Sequence, residues 1–259
     1  MSPRIERALV TGASAGIGTA LVRALAERGV EVVLVARRRD RLEALAASLP
    51  VACEVLVADL ADAGDLDRVV ARVTRAAEPV DLLVNDAGLG TYGPLVGQDP
   101  DRLQALLDVN VTALVQLTRA ALPQLVARGH GGIINVGSTA AYQPGPYSAV
   151  YGATKAFVRS FTEAVHEETR GTGVRVLLLA PGVTRTEFQA VAGVPDGAFP
   201  AALTGDADRV AAAALAAFAA DRDVCIPAWT DRVAVTTSQL LPSSVTRRLR
   251  ARVLRRYVT

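Results

Sequence analysis

Residues 8–25 read ALVTGASAGIGTALVRAL, a short apolar run and an amphipathic segment joined by a glycine-rich turn. The apolar run has the length of a buried strand, and the apolar spacing after the turn predicts a helix. Gly12, Gly16 and Gly18 stand between them, where missing side chains let a backbone approach a pyrophosphate and the helix N-terminus supplies amide donors. The spacing Gly-x-x-x-Gly-x-Gly differs from the common dinucleotide fingerprint, and an ordinary glycine-rich turn is the alternative. The position between strand and helix favours a dinucleotide site.

The same alternation of short apolar runs and longer amphipathic segments continues almost to the end of the chain. Such alternation is typical of βαβ units and a parallel sheet. Long helices are predicted over 101–128 and 148–170. Strands are predicted over 7–11, 31–36, 54–58, 82–84, 132–136, 175–180 and 224–226. We therefore expect an α/β fold, a Rossmann-like doubly wound parallel sheet of about seven strands with helices on both faces.

The composition is that of a globular chain. It has 259 residues, 51% hydrophobic and 21% charged, which suits one large α/β domain. No uninterrupted apolar run reaches the ~18 residues of a membrane span, and no apolar signal region begins the chain, so we expect a cytoplasmic protein. Cys53 and Cys225 are far apart, and only His130 and His166 could supply imidazole. We expect neither a disulfide framework nor a metal site.

Charge is unevenly distributed along the chain. The net charge is +2, but residues 232–259 carry seven arginines and no acidic residue, which leaves −5 on the rest. We expect one catalytic domain over 1–231 and a basic C-terminal extension over 232–259. We expect no nucleic-acid partner.

The second predicted strand ends in Ala36-Arg37-Arg38 rather than in an acidic residue. An acidic side chain there would accept hydrogen bonds from the adenosine ribose of NAD, whereas a guanidinium suits the 2′-phosphate of NADP by charge and geometry. Ser14 of the glycine loop is available as a further partner. The alternative is a solvated basic start to the next helix. We favour NADP (NADPH) over NAD as the cofactor.

Tyr151-Gly-Ala-Thr-Lys155 contains the one lysine among 28 basic residues. At positions i and i+4 of a predicted helix the two side chains share a face. A cation about 4–6 Å from a phenol lowers its pKa from about 10 by roughly 1–3 units, which makes it a usable acid or base. The alternative is a surface pair with no chemistry. A compact ammonium fits beside a titrating partner better than a guanidinium fork, and the spacing alone leaves both interpretations open.

A series of motifs over about residues 5–230 resembles the short-chain dehydrogenase/reductase family in order and spacing. The motifs are Thr11-Gly-Ala-Ser-Ala-Gly-Ile-Gly18, Asn85-Asp86-Ala87-Gly88, Asn110, Ser138, Tyr151-x-x-x-Lys155 and Pro181-Gly182. One departure is Asp86, where the family usually has a second asparagine with a structural role.

The resemblance implies four catalytic residues. Tyr151 would give or take the proton, and Ser138 would orient and polarise the substrate oxygen. Lys155 would lower the pKa of Tyr151 and bind the nicotinamide ribose, while Asn110 would hold a water in a proton relay to Lys155. From the residues alone, Ser138 could be a turn serine and Asn110 a polar helix residue.

The resemblance also implies a cofactor site assembled from several loops. Asp59 and Leu60 would contact the adenine, although Asp59 could instead cap the next helix. The full predicted set is Gly12, Ser14, Gly16, Ile17, Gly18, Arg37, Arg38, Asp59, Leu60, Asn85, Ala87, Gly88, Asn110, Tyr151, Lys155, Pro181, Gly182, Val183, Thr184 and Thr186.

These expectations describe an NADP-dependent oxidoreductase that moves hydride between nicotinamide and a carbonyl or alcohol carbon. A dehydratase or epimerase on the same fold, and a non-catalytic NADP-binding sensor or scaffold, remain alternatives. Segment 184–203 would cover the substrate, and its charges are only Arg185, Glu187 and Asp196, which favours a small, apolar substrate. The resemblance further implies a homo-oligomer, a dimer or tetramer, with helices 101–128 and 148–170 as contacts.

The C-terminal residues 242–259, PSSVTRRLRARVLRRYVT, lie beyond the family motifs. Ser243 or Ser244 can cap a helix, on which an apolar stripe recurs every fourth residue beside six arginines. The stripe consists of Val245, Leu249, Val253 and Tyr257. Such a helix could dock on its own acidic body or a neighbouring subunit, which we favour, or lie on an anionic membrane surface.

Overall fold

Seven parallel strands form one sheet, in the order β3-β2-β1-β4-β5-β6-β7. The computed structural model describes residues 5–195, 198 and 204–255. The strands are β1 Arg7–Thr11, β2 Glu31–Ala36, β3 Cys53–Val57, β4 Leu82–Asn85, β5 Gly132–Val136, β6 Arg175–Leu179 and β7 Val224–Cys225. The predicted α/β, doubly wound fold is confirmed, and each predicted strand agrees with an observed one to within a residue at either end.

Helices connect the strands and follow the last of them. They are α1 Gly16–Ala26, α2 Arg39–Ala47, α3 Ala63–Val73, α4 Pro100–Leu107, α5 Leu114–Arg128, α6 Ala149–Glu168, α7 Phe188–Val191, α8 Ala207–Ala219, α9 Trp229–Leu240 and α10 Ser243–Leu254. Short 3₁₀ turns lie at Leu95–Gly97 and Thr139–Tyr142.

Both faces of the sheet are covered by helices. On one face Val10 and Val84 pack with side chains of α1, α2 and α8, whereas Leu9 and Leu83 on the other face pack with α3, α5 and α6. Because neighbouring residues point to opposite faces and both faces are dry, the strands are continuous apolar runs rather than alternating ones.

The strand order reverses between β1 and β4, which are neighbours in the sheet but lie far apart in the chain. In this pair Thr11 lies opposite Asn85, and Asn85 lies opposite Asn135 of β5. The carboxyl ends of these strands therefore meet at one edge, where open α/β sheets bind their ligands.

The predicted helix over 101–128 contains a wider turn. A π-helical segment, Asp108–Ala113, separates α4 from α5 and places Asn110 in its middle. Among the residues described, the continuous helix Pro100–Arg128 is the one with the length and apolarity to cross a membrane. Its Leu117 and Leu125 are fully buried against the sheet, so this is a core helix.

The C-terminal segment begins inside a helix rather than after one. The boundary proposed between residues 231 and 232 falls within α9, which begins at Trp229. Asp231, in the first turn of this helix, accepts a hydrogen bond from the backbone of Gly182. Helix α10 follows and packs against α9. Val245 of the predicted stripe is half exposed. Tyr257 and the side chains of Leu249 and Val253 lie outside the described part of the chain.

Candidate active site

A cavity of about 430 Å³ opens at the carboxyl edge of the sheet, above the reversal in strand order. It is lined from the β1–α1 turn, the ends of β2, β4 and β5, the start of α6 and the segment after β6. Most of the predicted site residues line it: Gly12, Ser14, Gly16, Ile17, Arg37, Arg38, Asp59, Leu60, Ala87, Gly88, Ser138, Tyr151, Lys155, Pro181, Gly182, Val183, Thr184 and Thr186. The three that do not are Gly18, Asn85 and Asn110.

The glycine turn forms one wall of this cavity. Gly12 and Gly16 have φ of +71° and +57°, a left-handed conformation that favours glycine. A Cβ on Gly18 would lie 2.5 Å from the carbonyl oxygen of Gly12. Gly18 therefore supports the turn from behind, because helix α1 packs directly on the turn, and its role in cofactor binding stays a prediction. The residue before α1, Ala15, offers no side-chain cap to the first-turn amides. A backbone cradle beside a helix N-terminus whose N-cap residue provides no side-chain acceptor fits a diphosphate.

Asn85 is a buried tie between strands and does not line the cavity. Its Nδ2 donates to Oδ1 of Asn135 at 2.8 Å and to Oγ1 of Thr118 at 3.2 Å. Asn135 in turn donates to Thr162 at 3.1 Å. β4 presents this side chain towards α5 and α6, so the side chain has a structural role, and the predicted place of Asn85 along the cofactor stays a prediction.

Asn110 holds the chain that follows β4. Its Oδ1 accepts from the amide of Leu89 at 2.8 Å, and its Nδ2 donates to the carbonyl of Leu89 at 3.0 Å and to Oγ1 of Thr154 at 3.1 Å. The π turn lets this side chain reach sideways from the middle of a helix, and such turns often occur at functional sites. The side chain is only 1% exposed, so Asn110 lies behind the cavity wall.

Ser138, Tyr151 and Lys155 converge at the other end of the cavity. Tyr151 and Ser138 are joined by a side-chain hydrogen bond. Ser138 also caps the turn that follows it, because its Oγ accepts from the amide of Ala140 at 3.1 Å. Lys155 is 5% exposed, and its Nζ donates to the carbonyl of Val136 at 2.7 Å. Two hydroxyls and an ammonium therefore lie together beside the strand ends.

The predicted lowering of the Tyr151 pKa by Lys155 is wrong for this arrangement. Burial raises the pKa of Tyr151, and the hydrogen bond from Ser138 opposes that effect. Nζ of Lys155 lies 5.9 Å from the centre of the Tyr151 ring and is directed to the Val136 carbonyl. Burial also lowers the pKa of Lys155, to about 8, and the Asp86 carboxylate partly offsets this.

Arg38, rather than Arg37, faces the glycine turn. Its Nη2 and Nε lie 3.2 and 3.3 Å from Oγ of Ser14. Arg37 turns the other way and pairs with Asp59, at 3.6 Å between Nη1 and Oδ2. Asp59 does not cap helix α3, a role that Asp62 takes by accepting from a first-turn amide.

The Glu187 carboxylate forms ion pairs with two arginines. Its Oε2 lies 2.7 Å from Nη1 of Arg38, and its Oε1 lies 2.6 Å from Nη1 of Arg41. Because it belongs to the predicted substrate segment, it connects that segment to the arginine side of the cavity. Beside it, Phe188 packs on Tyr151 with ring centres 5.4 Å apart. The sequence analysis named Glu187 only as one of the charged residues of segment 184–203, and it did not name Phe188 as a site residue. Nothing in the spacing of the motifs distinguishes either residue. Asp196 lies outside the described residues.

Asp86 is a further lining residue that the site prediction omitted. Its Oδ2 would lie 2.6 Å from a Cβ placed on Gly18, and the Gly18 amide donates to this carboxylate. Burial raises the pKa of Asp86 to about 7, against the opposing effects of Lys155 and the Gly18 amide. The sequence distinguished Asp86 only by its departure from the asparagine that the family usually has at this position.

Comparisons with known proteins agree with this geometry. The family model for short chain dehydrogenases matches residues 6–194. The chain belongs to this family. A short-chain dehydrogenase from Sphingobium yanoikuyae, solved in complex with NADPH, superposes with a TM-score of 0.82 at 35% identity, covering 91% of this chain and 94% of that one.

Two other proteins similar to this chain differ in the substrates that their names give. Sulfoacetaldehyde reductase of Chromohalobacter salexigens is 42% identical over 187 residues, 70% of this chain and 74% of that protein. The bulky-bulky ketone specific alcohol dehydrogenase of Comamonas testosteroni superposes with a TM-score of 0.77 at 29% identity, over 91% of this chain and 92% of that one.

Proposed function

We propose that this short-chain dehydrogenase is an NADP-dependent oxidoreductase that interconverts a carbonyl compound and its alcohol. The observation that carries the proposal is the meeting of Ser138, Tyr151 and Lys155 in the cavity whose far wall is the glycine turn. Nicotinamide, when bound, supplies or accepts the hydride. The protein then has to orient the substrate oxygen and move one proton.

Tyr151 is the proton donor in the reducing direction. Burial keeps its hydroxyl protonated at neutral pH, so it can donate to an oxygen that gains negative charge. Ser138 donates its hydroxyl hydrogen to Tyr151, and with substrate bound it would donate that hydrogen to the substrate oxygen instead. We assign Lys155 to binding the nicotinamide ribose, since its Nζ lies beside Tyr151 in the cavity. We assign Asn110 to positioning this end of the cavity, through Leu89 and Thr154.

NADP rather than NAD is the cofactor in this proposal. Arg38 and Ser14 present a guanidinium and a hydroxyl side by side at the edge of the glycine turn, which suits a phosphate monoester. An NADPH complex of a similar protein supports the choice. Gly12, Gly16 and the α1 N-terminus would hold the diphosphate.

A neutral, apolar carbonyl compound fits the substrate end. Among the described residues, the wall around Ser138 and Tyr151 carries Phe188, Val191 and Val194, and it has no arginine. Arg102 lies nearby but donates to the carbonyls of Gly90 and Val191. Among the described residues, this wall offers no unpaired arginine to an anionic substrate, such as the sulfonate that the name sulfoacetaldehyde reductase implies.

The test is to mix the protein with NADPH and a panel of matched neutral and anionic aldehydes and ketones, following nicotinamide absorbance. We expect oxidation of NADPH with neutral apolar carbonyls, at rates at least tenfold above those with sulfonates or carboxylates of similar size. No oxidation by any carbonyl, with NADPH bound, would favour the sensor or scaffold. Conversion of substrate without net change of NADPH would favour a dehydratase or epimerase.

We also propose that the protein is a homo-oligomer through the long helices. Leu107, Val126 and Phe157 are large apolar side chains on these helices and are about two-fifths exposed, at 39%, 42% and 41%. Exposed apolar groups on neighbouring helices favour self-association. Light scattering at micromolar concentration should give a multiple of the 27.0 kDa chain mass, and a monomer would refute this.

Docking of α10 on its own chain remains our preferred role for the tail. Thr246 is buried, and α10 packs against α9, whose Asp231 is bonded to Gly182 at the cavity. If α10 docks on its own chain, the unaltered protein should not bind vesicles, and deletion of residues 243–259 should lower the midpoint of thermal unfolding. Salt-sensitive binding to anionic vesicles that disappears on deletion would favour the membrane instead.

A further inference from the structure

Asp86 places a buried carboxyl group against the glycine turn that, in the proposed function, would hold the cofactor diphosphate. It follows β4, and Oγ1 of Thr11 fixes its backbone by accepting from its amide at 3.1 Å. From there Oδ2 reaches the glycine turn, 3.0 Å from the position of a Cβ on Gly12 and 2.6 Å from one on Gly18. The side chain thus lies between the strand end and the first turn of α1.

The ionised form of Asp86 competes with a diphosphate for the same positive end of a helix. The Gly18 amide, which belongs to the first turn of α1, donates to the carboxylate. A carboxylate at this position neutralises the dipole end that would otherwise act on a bound anion. A second anion brought into the cavity also repels it directly.

Among the described residues, Lys155 on α6 is the cation that offsets this repulsion, because its charge acts on Asp86 and lowers the Asp86 pKa. The first turn of α1 carries no acidic residue, and β1 contributes the neutral hydroxyl of Thr11. Tyr151, also on α6, keeps its proton because its pKa is raised. Farther along the cavity, Arg38 is already paired with Glu187.

We propose that Asp86 takes up a proton when the dinucleotide binds, so that this residue makes cofactor affinity fall as the pH rises above neutrality. The inference rests on the proposed function, because it assumes a dinucleotide diphosphate at the glycine turn. Free Asp86 changes charge near pH 7, so below that pH binding needs no proton from solution. Above it, the affinity for NADPH falls by up to about tenfold per pH unit, until the pKa of the bound form is reached.

The experiment is isothermal titration of the whole chain with NADPH between pH 6.5 and 8.5, in two buffers of different ionisation enthalpy. The 2′-phosphate has its own pKa near about 6, so the range above pH 7.5 reports on the protein. We expect uptake approaching roughly one proton per NADPH at pH 8. Asp86→Asn keeps an acceptor for the Gly18 amide, and it should lose most of this uptake and bind NADPH up to about tenfold more tightly at pH 8.

Lys155 provides the competing explanation, because its pKa of about 8 would also rise beside a bound anion. Uptake that persists in Asp86→Asn but disappears in Lys155→Met would overturn the proposal. So would NADPH binding with no uptake in the unaltered protein, which would leave the proposed function intact. Absence of NADPH binding at every pH would overturn both. Difference infrared spectra of the unaltered protein add an independent measurement, since NADPH should produce a protonated-carboxyl band that the asparagine variant lacks.

Discussion

The arginine that faces the glycine turn should control the choice between NADPH and NADH. In Arg38→Ala the phosphate loses a charge-assisted hydrogen bond of about 1.5–3 kcal/mol. The Arg38 side chain is 40% exposed, so the lower part of that range applies, about 1.5–2 kcal/mol. At 1.4 kcal/mol per factor of ten, NADPH affinity should fall roughly ten- to thirtyfold.

Arg37 should contribute less than Arg38 to NADPH affinity. It is 59% exposed and its guanidinium is paired with Asp59. An exposed pair contributes about 0.2–1 kcal/mol, so Arg37→Ala should weaken NADPH binding no more than roughly fivefold. Arg39→Ala is the matched control, because Arg39 is an exposed neighbour that pairs with Glu43 on its own helix.

The assay is a fluorescence titration of each variant with NADPH and with NADH. Only the NADPH affinity of Arg38→Ala should change by an order of magnitude, with NADH affinity unaltered. Equal losses for the two cofactors would show that Arg38 supports the loop rather than the phosphate. A larger effect at Arg37 than at Arg38 would refute the assignment of the two side chains.

Three further substitutions should change stability, NADPH affinity or turnover in a stated direction. Asp86→Asn should gain stability over the parent as pH rises from about 4 to 7, because folding raises the Asp86 pKa from 3.8 to about 7; the ceiling is about 4 kcal/mol in urea unfolding, and a pH-independent difference would contradict it. Glu187→Gln should bind NADPH severalfold more tightly by freeing Arg38, whereas Glu43→Gln should not; weaker binding would mean that Glu187 positions Arg38. Lys155→Arg should lose at least about a hundredfold in turnover and about 1–3 kcal/mol of stability, because the larger fork overfills a buried position; near-normal turnover would show that any cation suffices.

The sequence predicted the sheet almost residue by residue because a parallel strand covered on both faces must be a continuous apolar run. It predicted which loops meet, since carboxyl strand ends share an edge. Side-chain direction was harder to foresee. Asn85 and Gly18 belong to motifs that form the cavity. The Asn85 side chain nevertheless points towards α5 and α6, and Gly18 packs behind the glycine turn.

Electrostatic effects were the least predictable from the chain. Spacing placed Lys155 beside Tyr151, but burial raises the pKa of Tyr151 and lowers that of Lys155, because both groups are enclosed together. The pairing of Glu187 with Arg38 joins residues 149 positions apart, which no local pattern encodes. The sequence showed Asp86 only as a departure from the usual asparagine. Its position against the first turn of α1 became known only from the structure.

The most direct test of the account is the rate of NADPH oxidation by Tyr151→Phe with a neutral ketone that the unaltered protein reduces. Tyr142→Phe is the matched control, because Tyr142 loses the same hydroxyl outside the cavity, where its ring packs against Arg159. We predict that Tyr151→Phe binds NADPH normally but loses about 10²–10⁴-fold in turnover, while Tyr142→Phe stays close to the parent. Turnover near the parent rate in Tyr151→Phe, with NADPH bound, would contradict the claim that Tyr151 supplies the proton.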